Sequence, residues 1–405
     1  MWFVATGAGC QARRMPIPPE PSPSTVFSIG LIRVLAVAAG TAVASNYYNQ
    51  AFLGHLTLDY GLTAGAVAAV PVLTQAGNAL GVLFLAPLGD RLERKSLILA
   101  TIAALVAALV GAAVSPTYLW LAAASFAVGL FATVGQQIIP LAIHLAPPAE
   151  RGRILGTVTG GILIGILLAR TISGIISDLW GWPVVFWFAA VAMTMIGFVL
   201  AIRLPHVRPT TDLSYPRLIA SLLSLMRRHR LLRLAVAVQF LIFSAFMAFW
   251  SNLALLLLGE PYQLGGTAVG LMALVGVAGA LAAPVAGGFA DKHGPTIVVS
   301  TGAALVVLAF AIFAFWQNSL VALVVGILIL DLAVQSSQVA NQAQIYALDP
   351  AASSRLNTIF MATMLMGGAL GAGVGGVAYE SFGWTGTCAF GAASSALAFL
   401  LSRKA

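Results

Sequence analysis

Apolar stretches long enough to cross a lipid bilayer follow one another along almost the whole chain, and this feature restricts the possible folds most strongly. A spanning α-helix needs about 20 mainly apolar residues. Hydrophobic residues make up 60% of the 405 positions and charged residues only 8%, whereas about a quarter of the residues in a typical water-soluble domain are charged. The period-2 alternation of a lipid-facing β-barrel is absent. The sequence therefore predicts an all-α membrane protein.

Twelve such stretches can be placed. They predict transmembrane helices, called spans 1 to 12, at residues 27–51, 64–88, 96–115, 119–145, 154–178, 185–204, 231–257, 266–290, 296–316, 319–346, 356–378 and 386–402. An even number of spans puts both termini on one side of the membrane. All Lys and Arg residues then lie on that side, apart from Arg33 and Arg170, which fall within spans. The positive-inside rule predicts cytoplasmic termini and, with the twelve spans, a multi-pass protein of the inner cell membrane.

The second half of the chain repeats the first in register. Identical residues recur 202 positions apart in three pairs: Arg153 and Arg355, Gly181 and Gly383, and Gln136 and Gln338. Parallel repeats of six spans are a known architecture of membrane carriers. We expect two pseudo-symmetric six-helix bundles at 27–204 and 231–402. A disordered cytoplasmic leader at 1–26 would precede them, and a cytoplasmic linker at 205–230 would join them.

Polar side chains are distributed unevenly among the spans. Spans 3, 6, 9 and 12 contain no Asn, Gln, Asp or Glu, so every third helix is expected to face lipid. Because buried amides are costly in hydrocarbon, those in the other spans should face a protein interior or a wet cavity. The candidate cavity residues are Asn46, Tyr47, Asn49, Gln50, Gln75, Asn78, Gln136, Gln137, Gln239, Gln335, Gln338 and Gln342.

Span 10 carries the clearest polar face. Asp331, Gln335, Gln338 and Gln342 follow one another at spacings of four, three and four residues, which places them on one side of an α-helix. Such a stripe either lines a water-filled cavity or forms a hydrogen-bonded seam with a neighbouring helix. We favour the cavity, and the seam is the alternative.

Two ionisable residues lie deep within spans. Asp331 is the only acid near the middle of a span, and Arg170 is the only base well inside one. Each costs roughly 2.5 to 3.5 kcal/mol to insert alone, and an isolated carboxylate at that depth tends to take up a proton. They either form a structural ion pair, or Asp331 exchanges protons while Arg170 anchors the substrate or Asp331. Both residues are candidates for proton coupling.

A charged turn between spans 2 and 3 carries a resemblance to a known family. Residues 86–95 read Ala-Pro-Leu-Gly-Asp-Arg-Leu-Glu-Arg-Lys, and a shorter copy with Asp291 follows span 8. Together with twelve spans and the internal repeat, this turn resembles the major facilitator superfamily, whose signature there is roughly Gly-x-Leu-Ala-Asp-Arg-x-Gly-Arg-Arg. The resemblance implies a carrier that works by alternating access. We interpret Asp90, Arg91, Arg94 and Asp291 as a conformational latch.

Within the superfamily the chain resembles the twelve-helix bacterial drug and metabolite proton antiporters, and this implies proton-coupled efflux. Span 4 lacks the arginine typical of that group, and span 5 lacks its proline; Arg170 is the candidate replacement for the arginine. An importer working by symport and a non-transporting membrane sensor with the same fold are the alternatives.

The remaining expectations concern chemistry and partners. One acid and one base within the spans are too few for a membrane-embedded enzyme, the histidines show no metal-ligand spacing, and no P-loop lysine motif occurs. We therefore expect no catalysis, no metal and no cofactor. The expected partners are a small-molecule substrate, protons as the coupling ion and the lipid bilayer, with no nucleic acid and a monomeric state.

Overall fold

A computed structural model describes residues 29–147, 150–207, 215–281, 294–349 and 352–404. These residues fold into helices, and none of them forms a β-strand. The α-helices, numbered in chain order, are α1 (Ile29–Ala44), α2 (Leu53–Tyr60), α3 (Ala64–Val67), α4 (Ala69–Phe84), α5 (Arg94–Ala113), α6 (Tyr118–Phe131), α7 (Val134–Leu145), α8 (Arg151–Trp180), α9 (Trp182–Arg203), α10 (Tyr215–Arg228), α11 (Arg230–Leu258), α12 (Gly266–Leu281), α13 (Pro295–Phe315), α14 (Leu320–Tyr346) and α15 (Ser353–Ser402). The expected leader at 1–26 and Asp291 lie outside the described residues.

Nine helices in the described part of the chain are long and apolar enough to cross a membrane. One of them, α15, bends at Gly383, whose φ of 62° and ψ of −155° are not helical, so it contains both span 11 and span 12. Two shorter apolar helices, in α1 and α12, fall in spans 1 and 8. The all-helical membrane fold is therefore confirmed. The count of twelve stays a prediction, because span 8 continues into residues that are not described.

The first predicted span is not one continuous helix. α1 ends at Ala44, a 3-10 helix follows at Tyr48–Ala51, and α2 extends the pass to Tyr60. Within the break, the Asn46 side chain donates to the carbonyl oxygen of Val43 at 3.4 Å. Asn side chains compete in this way with regular helical hydrogen bonding. The helical path through the first predicted span is therefore interrupted between Ala44 and Tyr48.

The linker contains a helix that hydropathy alone did not predict. In α10, Leu218, Leu222 and Leu225 are buried at spacings of four and three residues, as expected for an amphipathic helix, while the neighbouring basic side chains are exposed. The hydroxyl of Tyr215 donates to the carbonyl oxygen of Phe84 at 2.9 Å and attaches α10 to the end of α4. Because arginines flank its apolar residues on both sides, its average hydropathy stays low.

The helices run between two faces of the molecule. At the proximal face, which carries α10 and residue 404, Ser300 and Ser402 join the start of α13 to the end of α15, their hydroxyls 2.8 Å apart. At the opposite, distal face, Trp182 donates to Asp59 at 2.8 Å. These contacts place the connections after spans 2, 6 and 12 at the proximal face and those after spans 1 and 5 at the distal face.

Burial differs strongly between the helices. In the most apolar 18-residue stretch of α11, 89% of the residues are buried, against 33% in α9, 39% in α5 and 44% in α13. These three exposed helices are spans 6, 3 and 9, which the sequence predicts to face lipid. α8 is exposed to the same extent as α5, although it carries Arg170. Its polar residue therefore faces inward while its other side faces lipid.

Candidate functional site

Arg170 occupies the centre of the interface between the two halves. Its side chain is only 1% exposed. Its Nε donates to Oε1 of Gln50 at 2.7 Å, and its Cζ lies 4.2 Å from the centre of the Trp250 ring and 5.1 Å from that of the Tyr47 ring. Cation–π contacts of this kind are worth about 2 kcal/mol or more when desolvated. The guanidinium is thus held by Tyr47 and Gln50 from the first half and Trp250 from the second.

Close packing of α1 against α8 sets the position of Arg170. A Cβ added at Gly165 would lie 2.6 Å from Cα of Gly40 and even closer to the Gly40 carbonyl oxygen. A Cβ at Gly161 would lie 2.8 Å from the carbonyl carbon of Ala36. Small residues allow helix backbones to approach this closely in membranes. This close approach brings Gln50, in the break after α1, alongside the turn of α8 that contains Arg170.

A thioether links this centre to a second amide. Gln50 Nε2 lies 3.3 Å from Sδ of Met247, and Gln75 Nε2 lies 3.7 Å from the same sulfur. Met247 and Trp250 are one helical turn apart on α11. Residues of spans 1, 2, 5 and 7 therefore meet at one point.

Asp331 lies on α14 and is 4% exposed. Its Oδ2 has no hydrogen-bond partner among the described residues. Neither it nor Arg170 forms an ion pair within 4.0 Å with any described residue. A Cβ added at Gly276 would lie 3.1 Å from the carboxyl carbon of Asp331, so α12 passes directly over the carboxylate. The two ionisable side chains are therefore both buried and do not form an ion pair with each other.

Several further buried polar atoms have no partner among the described residues. Leaving a buried group unsatisfied costs about 1 to 3 kcal/mol, so a group of them around one point is expected to be satisfied by water, a ligand or another conformation. Around Arg170 these atoms are its own Nη2, Nε1 of Trp250 and Oε1 of Gln75, and elsewhere among the described residues they include Oδ1 of Asn46, Oδ1 of Asn49 and Oδ2 of Asp331.

Some predicted cavity residues instead join helices. Gln137 donates to the hydroxyl of Thr101 at 3.2 Å, which connects α7 to α5. Gln239 accepts from Asn341 at 3.2 Å, which connects α11 to α14, and Gln342 donates to a side-chain oxygen of α15 at 3.5 Å. These three amides form seams between helices.

The other members of the predicted set are dispersed. Gln335 and Gln338 are half-buried and have no side-chain hydrogen bond with a described residue. Asn78 is buried, and Asn49 donates to the hydroxyl of Thr74 at 2.9 Å. The structure therefore brings together around Arg170 only part of the predicted set, with Tyr47, Gln50 and Gln75 as its nearest members.

Trp250 and Met247 belong to the site although the sequence did not single them out. A tryptophan in the middle of a span is a usable signal, because intramembrane tryptophans usually lie at the interfaces with water. Met247 gives no such signal, since a methionine inside an apolar run is ordinary.

A cavity between the two halves lies at the proximal face. The first half contributes Arg94, which is 7% exposed, and Gln136, while the second contributes Arg355 and Asn357. Leu222 of α10 also lines it. Of the predicted latch, Arg94 thus lies in the cavity wall and Arg91 is exposed. The Asp90 side chain and Asp291 are outside the described part.

Comparison with known proteins gives consistent results. A family model described as Major Facilitator Superfamily matches residues 35–279 and 235–404. The chain is 37% identical over 370 residues to the uncharacterized transporter YgaY of Escherichia coli O157:H7, covering 91% of this chain and 94% of that protein. It is 32% identical over 374 residues to a probable transporter of Streptomyces coelicolor, with 91% and 87% covered.

Solved structures share the fold at low identity. The nucleoside transporter NupG superposes with a TM-score of 0.77 at 14% identity, covering 92% of this chain and 98% of that one. A bacterial homolog of the human lysosomal transporter Spinster, in an inward-facing and occupied conformation, superposes with a TM-score of 0.75 at 15% identity, with 92% and 96% covered.

Proposed function

The chain belongs to the Major Facilitator Superfamily, and from this premise we propose that it exports a small, partly apolar molecule in exchange for protons. It is a membrane transporter by family, so the direction of transport and the coupling ion are what remain to be assigned. One observation supports the proposal: Arg170, at the interface between the halves, and Asp331, within the second half, are both buried and form no direct ion pair with each other. Ionisable residues at bilayer depth are expensive and mark transport pathways.

Arg170 is the substrate anchor in this proposal. Its Nε is already engaged by Gln50, whereas Nη2 and the indole N–H of Trp250 are free to donate. A substrate that presents a hydrogen-bond acceptor here and a flat apolar surface to Tyr47 and Trp250 would satisfy both. Donor groups on the same molecule would meet the unpartnered oxygen of Gln75.

Asp331 is the proton carrier in this proposal. When protonated it is neutral, and when ionised it attracts the Arg170 guanidinium across the interface. The ionised carboxylate of Asp331 and a hydrogen-bond acceptor of the substrate therefore compete for the Arg170 guanidinium, so substrate binding depends on the protonation of Asp331. A ligand shifts a conformational equilibrium only by its differential affinity for the two states, and this competition supplies that difference.

The charged turn is the proposed conformational latch at the proximal face. Arg94 lies in the wall of the cavity between the halves, where contacts of Asp90, Arg91 and Arg94 would change as the cavity opens or closes, with a weaker contribution from Asp291 of the second half. We expect Asp90→Asn to insert normally and to transport more slowly. Wild-type transport rates in that variant would remove the latch role.

We assign the proximal face to the cytoplasm. The basic residues outside the spans belong to the side of the termini, and α10 with its exposed arginines lies there. The positive-inside rule then favours an inner-membrane protein with cytoplasmic termini. We expect the monomer to be the transporting unit, because the site is built from the two halves of one chain.

Transport in defined vesicles tests this function. Substrates are first sought by screening growth and efflux in a cell that lacks its own efflux pumps, and the best substrate is then followed in proteoliposomes with an imposed pH gradient. We expect counterflow of substrate and protons, and uncoupled flux in Asp331→Asn. Asp349→Asn, outside the membrane, is the matched control. Substrate uptake along the proton gradient would instead identify a symporter, and equal coupling in the Asp331 variant would reject Asp331 as the carrier.

A further inference from the structure

At the distal face, an acid of the first half binds the start of a helix in the second. Asp178, near the end of α8, accepts hydrogen bonds from the backbone N–H groups of Gly266 at 2.8 Å and Thr267 at 2.7 Å, one to each carboxylate oxygen. These are among the first N–H groups of α12, which have no partner within the helix. A carboxylate there also complements the positive end of the helix dipole.

An acid of the second half binds the first half in the same way. Glu380, on α15, accepts from the backbone N–H of Gly65 at 3.0 Å and from the hydroxyl of Thr63 at 3.1 Å. Gly65 lies at the beginning of the membrane span Ala64–Gly89. Each half therefore caps a span of the other half with one carboxylate.

The two contacts are copies of one another under the internal repeat. Glu380 is 202 positions after Asp178, and Thr267 is 202 positions after Gly65, the same displacement that separates Gly181 and Gly383. A repeat axis along the membrane normal exchanges the halves and keeps such copies on one face. The pair therefore spans the distal mouth at two symmetry-related points.

The backbone beside each carboxylate leaves no room for a side chain. A Cβ added at Gly265 would lie 2.7 Å from Oδ2 of Asp178, and one added at Gly65 would overlap Oε2 of Glu380. Below the first contact, the hydroxyl of Thr171 on α8 donates to the carbonyl oxygen of Gly270 on α12 at 2.9 Å. The halves are thus joined through backbone groups along this edge.

We propose that Asp178 and Glu380 form a paired outer gate, called here the distal clasps, which holds the distal mouth closed and must release for the site to open on that side. The inference rests on alternating access but names gating residues that the substrate site does not include. When the halves separate, both carboxylates lose a helix terminus as partner and return to water. The clasps therefore stabilise the distally closed state relative to the open one.

The two clasps differ in strength. Nε2 of His55 lies 3.3 Å from Oδ1 of Asp178, whereas the repeat-related position of His55 is Leu257. Asp178 also engages two backbone N–H groups, while Glu380 engages one together with a hydroxyl. Removing Asp178 should therefore open the mouth more than removing Glu380.

Distance measurement between spin labels tests the proposal without any substrate. Labels replace Leu58 in the first half and Phe382 in the second, both highly exposed, in a background without the two native cysteines. Losing a helix-capping side chain shifts an equilibrium by roughly tenfold. We expect Glu380→Ala to raise the ratio of long to short distances about tenfold, Asp178→Ala to raise it by more, and the double variant to raise it by about a hundredfold or more. Glu260→Ala, another exposed acid of this face, should leave the distribution unchanged.

A second pair of variants leaves both carboxylates in place. Gly65→Ala and Gly265→Ala insert a methyl group where a carboxylate oxygen now lies, and they should open the mouth like the acid deletions. Asp178→Asn, which keeps a capping oxygen, should restore most of the closed population. Unchanged distances in Asp178→Ala and Glu380→Ala, or in both glycine variants, would overturn the proposal. Clasp-dependent opening in a protein without substrate flux would refute the transport function and leave the clasps standing.

Discussion

The closest backbone approach at the site yields a prediction with its own internal control. Gly165 and Gly160 both lie on α8, but a Cβ at Gly165 would lie 2.6 Å from Cα of Gly40, whereas nothing lies within 4 Å of one at Gly160. The same Gly→Ala change should therefore have opposite effects on stability at two positions five residues apart.

The magnitudes follow from these distances. Carbon atoms pack at about 3.5 to 4.0 Å, so Gly165→Ala requires α1 and α8 to separate by about 1 Å. Overpacking of this kind costs about 1 to 3 kcal/mol. Gly160→Ala meets no neighbour and should stabilise α8 by about 0.5 to 1 kcal/mol, because alanine loses less conformational freedom in a helix. The separation would also stretch the 2.7 Å hydrogen bond from Arg170 to Gln50, so transport should fall.

Unfolding in mixed micelles by titration with sodium dodecyl sulfate measures both variants on one scale. We expect Gly165→Ala to lie below wild type in unfolding free energy and Gly160→Ala above it, about 1.5 to 4 kcal/mol apart. Equal unfolding free energies, or full transport in a destabilised Gly165→Ala, would refute the argument that this contact positions Arg170.

Three further perturbations address separate parts of the molecule. Arg170→Gln should abolish substrate binding, measured by equilibrium dialysis with the substrate found in the screen, whereas Arg153→Gln on the exposed start of the same helix should not. Partial burial raises the pKa of Glu93, but hydrogen bonds from Ser96 and the charge of the nearby His206 outweigh this effect and lower the pKa below its usual 4.5. The stabilising effect of the Glu93 carboxylate is therefore complete above about pH 4.5 and is lost as the pH falls through the lowered pKa. The difference in melting temperature between wild type and Glu93→Gln should shrink at low pH, and a constant difference would contradict this. Leu222→Asn should release α10 and speed proteolysis of the linker; an unchanged cleavage rate would show that α10 is held by other contacts.

Hydropathy predicted most of the helices because each span must satisfy its backbone hydrogen bonds within itself, as a continuous apolar helix does. It did not predict the break after Ala44, since the residues from Asn46 to Gln50 are flanked by apolar sequence and fit within a span of normal length. It also did not predict α10, whose leucines form a stripe between basic residues. In both cases the local pattern depends on packing with distant helices.

For the site, the cost of charge in hydrocarbon was enough to select Arg170 and Asp331 from the sequence. Their surroundings could not be predicted in this way. Trp250 is 80 residues from Arg170 and in the other half, and only the packing of the two halves against each other brings them together. The amides were harder still, because Gln137 and Gln239 satisfy the same pattern as Gln50 while serving as seams between helices.

The near-complete enclosure of α11 has a consequence for biogenesis. This helix is apolar enough to enter a bilayer when it leaves the ribosome, yet much of what surrounds it, above all α15, is synthesised later. A nascent chain that ends before residue 353 must therefore leave the face of α11 bearing Asn252, which packs against Gly375, in contact with lipid or a chaperone. Insertion of the last two spans is the step that buries this face of α11. C-terminal truncation should therefore leave the face exposed and direct the chain to membrane quality control.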